Sequence, residues 1–267
     1  MTVLINCSTK LADIVRNSRR LISEGYYDLD HYLLPKIANT RENLSKAIEK
    51  SPFFPIVVEL KFQSPNMCSE RLSTLETARI PIKSFIRAGV TGLSILTEPR
   101  YFHGSLQYLA EAATMFPGLP ILMKDFIVDT TQIDAAKAFG ASTILLIAKI
   151  LSRDELIHLI QYAHSLDLEI LLEVNTREEM ELALSTNAQI IGINNRDLTT
   201  FDVNLETTEK LSSLFPNRTK LFLSLSGINS KENAHRMKKA GVDGILVGTA
   251  LMKASDPISI INKLKEV

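Results

Sequence analysis

The chain has 267 residues, 30 Lys and Arg against 30 Asp and Glu, and 45% apolar residues. Balanced charge with no run of one sign excludes nucleic acid and anionic membrane surfaces as expected partners, and no apolar stretch approaches the ~20 residues of a membrane span. Two cysteines and five histidines, without metal-ligand spacing, exclude a disulfide framework and point to a metal-free protein, and the start MTVLINCSTK lacks a secretion segment, so a cytoplasmic protein is expected.

Taken in chain order, residues 1–54 carry two helical patterns, Leu11, Ile14 and Val15 followed by Leu21 and Ile22, then Leu44, Ala47 and Ile48. From Pro55 onward, eight short apolar runs alternate with helical patterns: PIVVELK (Pro55 to Lys61), GLSILTE (Gly92 to Glu98), PILMKD (Pro120 to Asp125), TILLIAK (Thr143 to Lys149), EILLEV (Glu169 to Val174), IIGINN (Ile190 to Asn195), KLFLSLS (Lys220 to Ser226) and GILVGT (Gly244 to Thr249). Their recurrence every roughly 20 to 37 residues fits one strand, one loop and one helix, the unit of an eightfold β/α barrel. The expected architecture is a single (β/α)8 barrel over residues 55–267, with residues 1–54 as a helical extension packed on it. The extension either plugs the bottom of the barrel or reaches the top and touches a ligand. Periodicity leaves both open.

Helix boundaries are written in the sequence as well. Asp129 with Gln132, Ser152 with Glu155 and Thr176 with Glu179 have capping-box spacing, Asp256-Pro257 is an N-cap followed by proline, and Gly89, Gly140 and Gly241 end helices just before a strand. In the helix after the fourth strand, Leu156, Ile157, Ile160 and Ala163 are expected to face the barrel.

The C-terminal strand ends of such a barrel converge on one face, so what the runs end in defines a candidate site. Lys61 and Lys124 emerge from buried runs, and desolvation with a neighbouring cation is expected to lower a lysine's pKa toward a usable general acid. Glu59 and Glu173 supply the opposite sign, for acid–base chemistry or simple ion pairing. Asn194 suits a hydroxyl or loop backbone, and Arg196 suits a carboxylate or phosphate. Glu98 and Lys149 either contact substrate or pair at the rim, and Phe102 and Phe126 either wall an aromatic ligand or pack. After the seventh and eighth strands, Ser226-Gly227 and Gly248-Thr249 combine close backbone approach with hydroxyl donors, which points to a phosphate site.

The segments VVELKFQSP, LSILTEPRYFHGS, ILMKDFIVD, ILLIAKIL, LLEVNTREE, IGINNRDL, SGI and VGTALM, in this order, resemble the indole-3-glycerol phosphate synthase family across about Ile56 to Met252. The resemblance implies a carboxy-lyase of tryptophan biosynthesis. Its substrate would be 1-(2-carboxyphenylamino)-1-deoxyribulose 5-phosphate, converted to indole-3-glycerol phosphate, carbon dioxide and water without cofactor or metal by a monomeric protein. By motif position, Lys124 would be the general acid at the ribulose carbonyl. Lys61 would steer anionic groups and is a candidate proton donor in the dehydration. Glu173 would be the general base or cation stabiliser, and Glu59 would orient Lys124 and the sugar hydroxyls. Ser64, Asn194 and Arg196 would contact substrate, and Ser226, Gly227, Gly248 and Thr249 would hold its phosphate.

Two departures from the family pattern stand out. Leu225 occupies a position where the family usually has glutamate, and Ser64-Pro65-Asn66-Met67-Cys68 replaces the usual lysine-glycine continuation of the first loop. They imply a missing sugar contact and altered loop closure, and they leave two alternatives: a diverged enzyme on a related amino-sugar phosphate, or a non-catalytic paralogue.

Overall fold

The computed structural model describes residues 10–34, 41–60 and 82–267. Two helices, α1 (Lys10–Ser23) and α2 (Leu44–Lys50), precede β1 (Ile56–Leu60), and residues 82–87 form α3. The repeat continues as β2 (Gly92–Leu96), α4 (Leu106–Met115), β3 (Ile121–Lys124), α5 (Thr130–Ala138), β4 (Thr143–Ile147), α6 (Arg153–Ser165), β5 (Glu169–Val174) and α7 (Arg177–Leu184). It ends with β6 (Ile190–Asn194), α8 (Glu206–Leu214), β7 (Leu221–Leu225), α9 (Lys231–Lys239), β8 (Gly244–Val247), α10 (Thr249–Lys253) and α11 (Pro257–Lys265). The eight strands are parallel and close in sequence order, with β8 pairing β1.

The strands read as continuous apolar runs because helices cover one face and the barrel interior fills the other, so neither face needs polar residues. Every residue of β2, β4, β5, β6 and β8 is buried. Where side chains of two non-adjacent strands meet, they do so across the barrel axis, and this places the polar strand ends in one mouth.

Local signals fix the helix starts. The boxes at Ser152 with Glu155 and Thr176 with Glu179 are closed in both directions, each cap contributing about 1 kcal/mol. Asp256 caps α11 through the Ser259 amide with Pro257 in the first turn. The pair Asp129 and Gln132 behaves differently. Asp129 accepts from the Thr131 amide, but Gln132 accepts from the Val128 amide and donates to the Phe126 carbonyl, so it secures the loop after β3 instead of closing a box. In α6 the barrel-facing residues are Leu156, Leu159, Ile160 and Ala163, and Ile157 is exposed. Leu156, Ile160 and Ala163 thus face the barrel as expected, and Leu159 takes the place of Ile157, because the stripe they form extends to the Leu159 side of the helix.

The N-terminal extension divides between the two ends of the barrel. Asn17 of α1 donates to Glu98 at 2.9 Å, Tyr26 donates through its hydroxyl to the Thr97 carbonyl at 3.0 Å, and Tyr27 donates to Asp125 at 2.9 Å. These acceptors follow the C-terminal ends of β2 and β3, so α1 and the turn after it sit at the top. At the opposite end, the Ser45 amide of α2 donates to Glu169 at the start of β5 at 3.0 Å, with the Ser45 hydroxyl on the same carboxylate. Arg41, just before α2, donates to the carbonyls of Ala113, Phe116 and Leu119 ahead of β3. The extension therefore reaches both ends of the barrel, α2 at the bottom and α1 at the top.

Candidate active site

Lys124 ends β3, Glu59 lies in β1 and Glu173 in β5, so each pair is separated by at least one intervening strand and can meet only across the mouth. The Lys124 ammonium is 3.5 Å from a Glu59 carboxylate oxygen, with its side chain 21% exposed. Glu173 is buried and accepts from Asn194 Nδ2 at 2.7 Å. Desolvation pulls the Lys124 pKa down, but the charges of Glu59 and Glu173 and the contact with Glu59 outweigh it against a weaker opposing push from Arg196, and the pKa stands above the usual lysine value. This corrects the expectation of a lowered lysine: the two carboxylates win. Burial raises the Glu173 carboxyl above its ordinary range, with Lys124 and the Asn194 hydrogen bond pulling it back. The mouth therefore holds a firmly protonated ammonium beside a carboxylate of enhanced basicity.

Asn194 and Arg196 are joined. The side-chain oxygen of Asn194 accepts from the Arg196 amide at 3.0 Å, while its nitrogen holds Glu173, so the amide serves both site carboxylate and loop backbone. Arg196 also donates from Nη1 to the Phe201 carbonyl at 2.9 Å. Lys149 pairs with Asp197 at 3.5 Å on the rim.

Glu98 is fully buried and accepts from the amides of Arg100, Tyr101 and Phe102 as well as from Asn17. Its oxygens are committed to the loop after β2 and to α1, which gives it a structural role at the rim. Phe102 and Phe126 stack on each other, with ring centroids 5.7 Å apart. Asp125 was read from the sequence only as the end of an apolar run. It is buried, accepts from the Tyr27 and Thr97 hydroxyls and from the Phe126 amide, and burial pushes its carboxyl up to about 6. The signal was a carboxylate directly after a strand-end lysine, with a Tyr-Tyr pair far upstream and nothing in the spacing to connect them.

After β7, Ser226 and Gly227 are both left-handed, with φ of +65° and +83°. A Cβ at Gly227 would also lie 2.6 Å from Val203 Cγ1, so any side chain there would have to displace that valine. Gly248, after β8, faces Glu59 so closely that a Cβ would stand 2.9 Å from its carboxylate. Thr249 opens α10 and is exposed. Thus four residues assigned to phosphate from the sequence gather on neighbouring loops, and Gly248 additionally makes space for Glu59. Lys61 and Ser64, with the Asn66-Met67-Cys68 stretch, lie outside the described residues.

Residues 5–264 match the family model described as "Indole-3-glycerol phosphate synthase". The chain belongs to the indole-3-glycerol phosphate synthase family. An indole-3-glycerol phosphate synthase of Staphylococcus aureus strain JH1 is 40% identical over 262 residues, covering 96% of this chain and 97% of that protein, and the strain Newman relative is 39% identical over 263 residues with the same coverage. Among solved structures, 3-hexulose-6-phosphate synthase from Salmonella typhimurium has a TM-score of 0.62 at 14% identity, covering 79% of this chain and 96% of that one. A chain from Aquifex aeolicus VF5 also has a TM-score of 0.62, at 15% identity, covering 83% and 96%. At such identities these two report the barrel alone. Membership in the indole-3-glycerol phosphate synthase family makes the protein a carboxy-lyase of tryptophan biosynthesis.

Within that family the Leu225 departure has a structural setting. Leu225 is buried at the end of β7, in register with Asn194, and its Cδ1 would lie 2.7 Å from a Cβ at Gly192. The leucine therefore fills space above Gly192 and contributes an apolar surface beside Asn194.

Proposed function

We propose that this mouth closes the indole ring of 1-(2-carboxyphenylamino)-1-deoxyribulose 5-phosphate with Lys124 as acid and Glu173 as base. The observation that carries the reading is the partly buried ammonium of Lys124, 3.5 Å from Glu59 and within reach of the charge of Glu173. As the ring carbon bearing the carboxylate attacks the ribulose carbonyl, negative charge develops on the carbonyl oxygen. A firmly protonated ammonium stabilises that charge, and the resulting alkoxide is basic enough to take its proton despite the raised pKa. Carbon dioxide then departs, leaving its bonding electrons to restore the ring. The hydroxyl leaves as water, with Lys61 the candidate donor, and Glu173 takes the last proton as the indole becomes aromatic. Glu59 fixes Lys124 and contacts the sugar hydroxyls.

Binding is assigned on the same footing. Arg196, with Ser64 and Asn194, would meet the anionic and polar groups of the substrate, and the stacked Phe102 and Phe126 would wall its aromatic ring. The left-handed pair Ser226-Gly227 after β7, and Gly248 capping the start of α10 after β8, support phosphate binding, because successive backbone amides in such turns can form an anion-binding concavity. Remote phosphate binding then holds the reacting carbons in register. Among the described residues, Leu33, Phe53, Ile157 and Leu214 are large, apolar and exposed on separate segments of the chain, which supports action as a monomer.

Indole absorbance and fluorescence, followed with the purified chain and this substrate, test the reading. Formation of indole by the parent and its loss by roughly 10² to 10⁴ in Lys124→Met, with substrate still bound, is the expected result. Turnover of Lys124→Met within a few-fold of the parent removes Lys124 from the chemistry.

A further inference from the structure

Phe201, in the loop after β6, has a φ of +66°. A bulky L-residue avoids that region because its Cβ crowds the following carbonyl, so the surrounding loop must hold it there. Asp197 does so from several sides: its carboxylate accepts from the Thr199 and Thr200 amides, its carbonyl accepts from the Phe201 amide at 2.8 Å, and its amide donates to the Asp202 carbonyl at 3.0 Å. Arg196 and Val203 close the loop as an antiparallel bridge. The reversal at Phe201 brings its carbonyl back to Arg196 Nη1, and on the other side of the residue the Lys10 ammonium of α1 stands 4.8 Å from the centre of the ring.

We infer that Phe201 is a positioning residue for Arg196: its left-handed backbone aims the carbonyl that holds the guanidinium in the mouth, in line with the Glu173–Asn194–Arg196 chain. The strain sits beside the site and is over-determined by its surroundings, the usual arrangement where backbone strain serves a function. The inference deepens the reading of Arg196 as an anion-directed contact and rests on it.

Phe201→Gly, Phe201→Ala and Phe201→Val separate the backbone from the ring. All three lose the ring, whose contact with Lys10 helps hold the parent in a conformation that is costly for phenylalanine too, and without that contact they differ in the cost of positive φ, negligible for glycine, moderate for alanine and highest for the β-branched valine. In steady-state indole formation, KM should stay within about 3-fold of the parent for glycine, rise roughly 10-fold or more for valine and lie between for alanine, since misplacing a binding group by an ångström has effects of this size or larger. The kcat should stay within about 3-fold throughout, with Lys124 and Glu173 untouched. The glycine and alanine pair carries the test even if valine disrupts folding. A KM equal in glycine and alanine variants, whether parental or raised, overturns the inference. Arg196→Ala is the control: a raised KM there with a flat Phe201 series removes the positioning role alone, whereas a parental KM removes the anion contact and the inference with it.

Discussion

Glu169 and Glu173 are four residues apart on β5, both buried, and in register with β4 partners two steps apart along the barrel interior. Glu169, at the bottom, is answered by the amide and hydroxyl of Ser45 from α2. Glu173, at the top, is answered by Asn194 and by the charge of Lys124, and its carboxyl is raised. Burial alone therefore does not make a carboxylate reactive. On the proposed reading, what separates a plug from a proton carrier is whether fixed neutral donors hold the oxygens or a cation and an open mouth leave the charge available for exchange.

The largest expected effect breaks this pair apart directly. Glu173→Gln should lower kcat by about 10² to 10⁴ with little change in thermal stability, because the amide keeps the volume and loses the base. Glu169→Gln should do the reverse, costing about 1 to 3 kcal/mol by presenting an amide where two donors converge, while kcat stays parental. Denaturant unfolding and steady-state kinetics on both variants check the two halves. Equal kinetic effects would mean that position along β5 does not matter.

A smaller effect sharpens the account of Glu173. The Asn194 hydrogen bond favours its ionised form, so Asn194→Ala should raise its pKa further, and the acidic limb of the kcat/KM profile should move to higher pH. A limb that stays put would separate Glu173 from that ionisation.

The smallest effect concerns Asp125, another buried carboxylate. Its folded pKa, about 6, lies above its unfolded value, so the native state binds the proton more tightly. That contribution is fully present below the unfolded pKa and is lost as pH rises through about 6. The parent should therefore gain stability relative to Asp125→Asn as pH falls from 7 toward 5, by at most about 1.4 kcal/mol per pH unit. Urea unfolding at matched pH values measures it, and a stability difference independent of pH would contradict the raised carboxyl.

The barrel was legible because parallel strands covered on both faces leave uninterrupted apolar runs, and β5 runs from Glu169 to Val174 as read. The polar strand ends were legible for the same reason, since Glu59, Lys124 and Glu173 each interrupt such a run. Electrostatic balance was not. The Lys124 pKa depends on which charges lie across the mouth, and spacing along one strand does not report on a neighbour two strands away. Periodicity gave α1 and α2 an apolar face but no address, because the partners that assign them to opposite ends, Glu98 and Glu169, lie far along the chain. Asp125 was missed in the same way, its Tyr27 partner being 98 residues upstream.

The division of the extension also has a consequence for how the chain acquires its form. Asn17 reaches Glu98 across 81 residues and Ser45 reaches Glu169 across 124. During synthesis both helices leave the ribosome before the strands they dock on, so α1 lacks its Glu98 partner until the end of β2 has been made, and α2 lacks its Glu169 partner until β5 has. Closing such long loops costs entropy that only an assembled barrel offsets. Each helix is accordingly fastened only by residues made well after it, α1 through the second strand and α2 through the fifth.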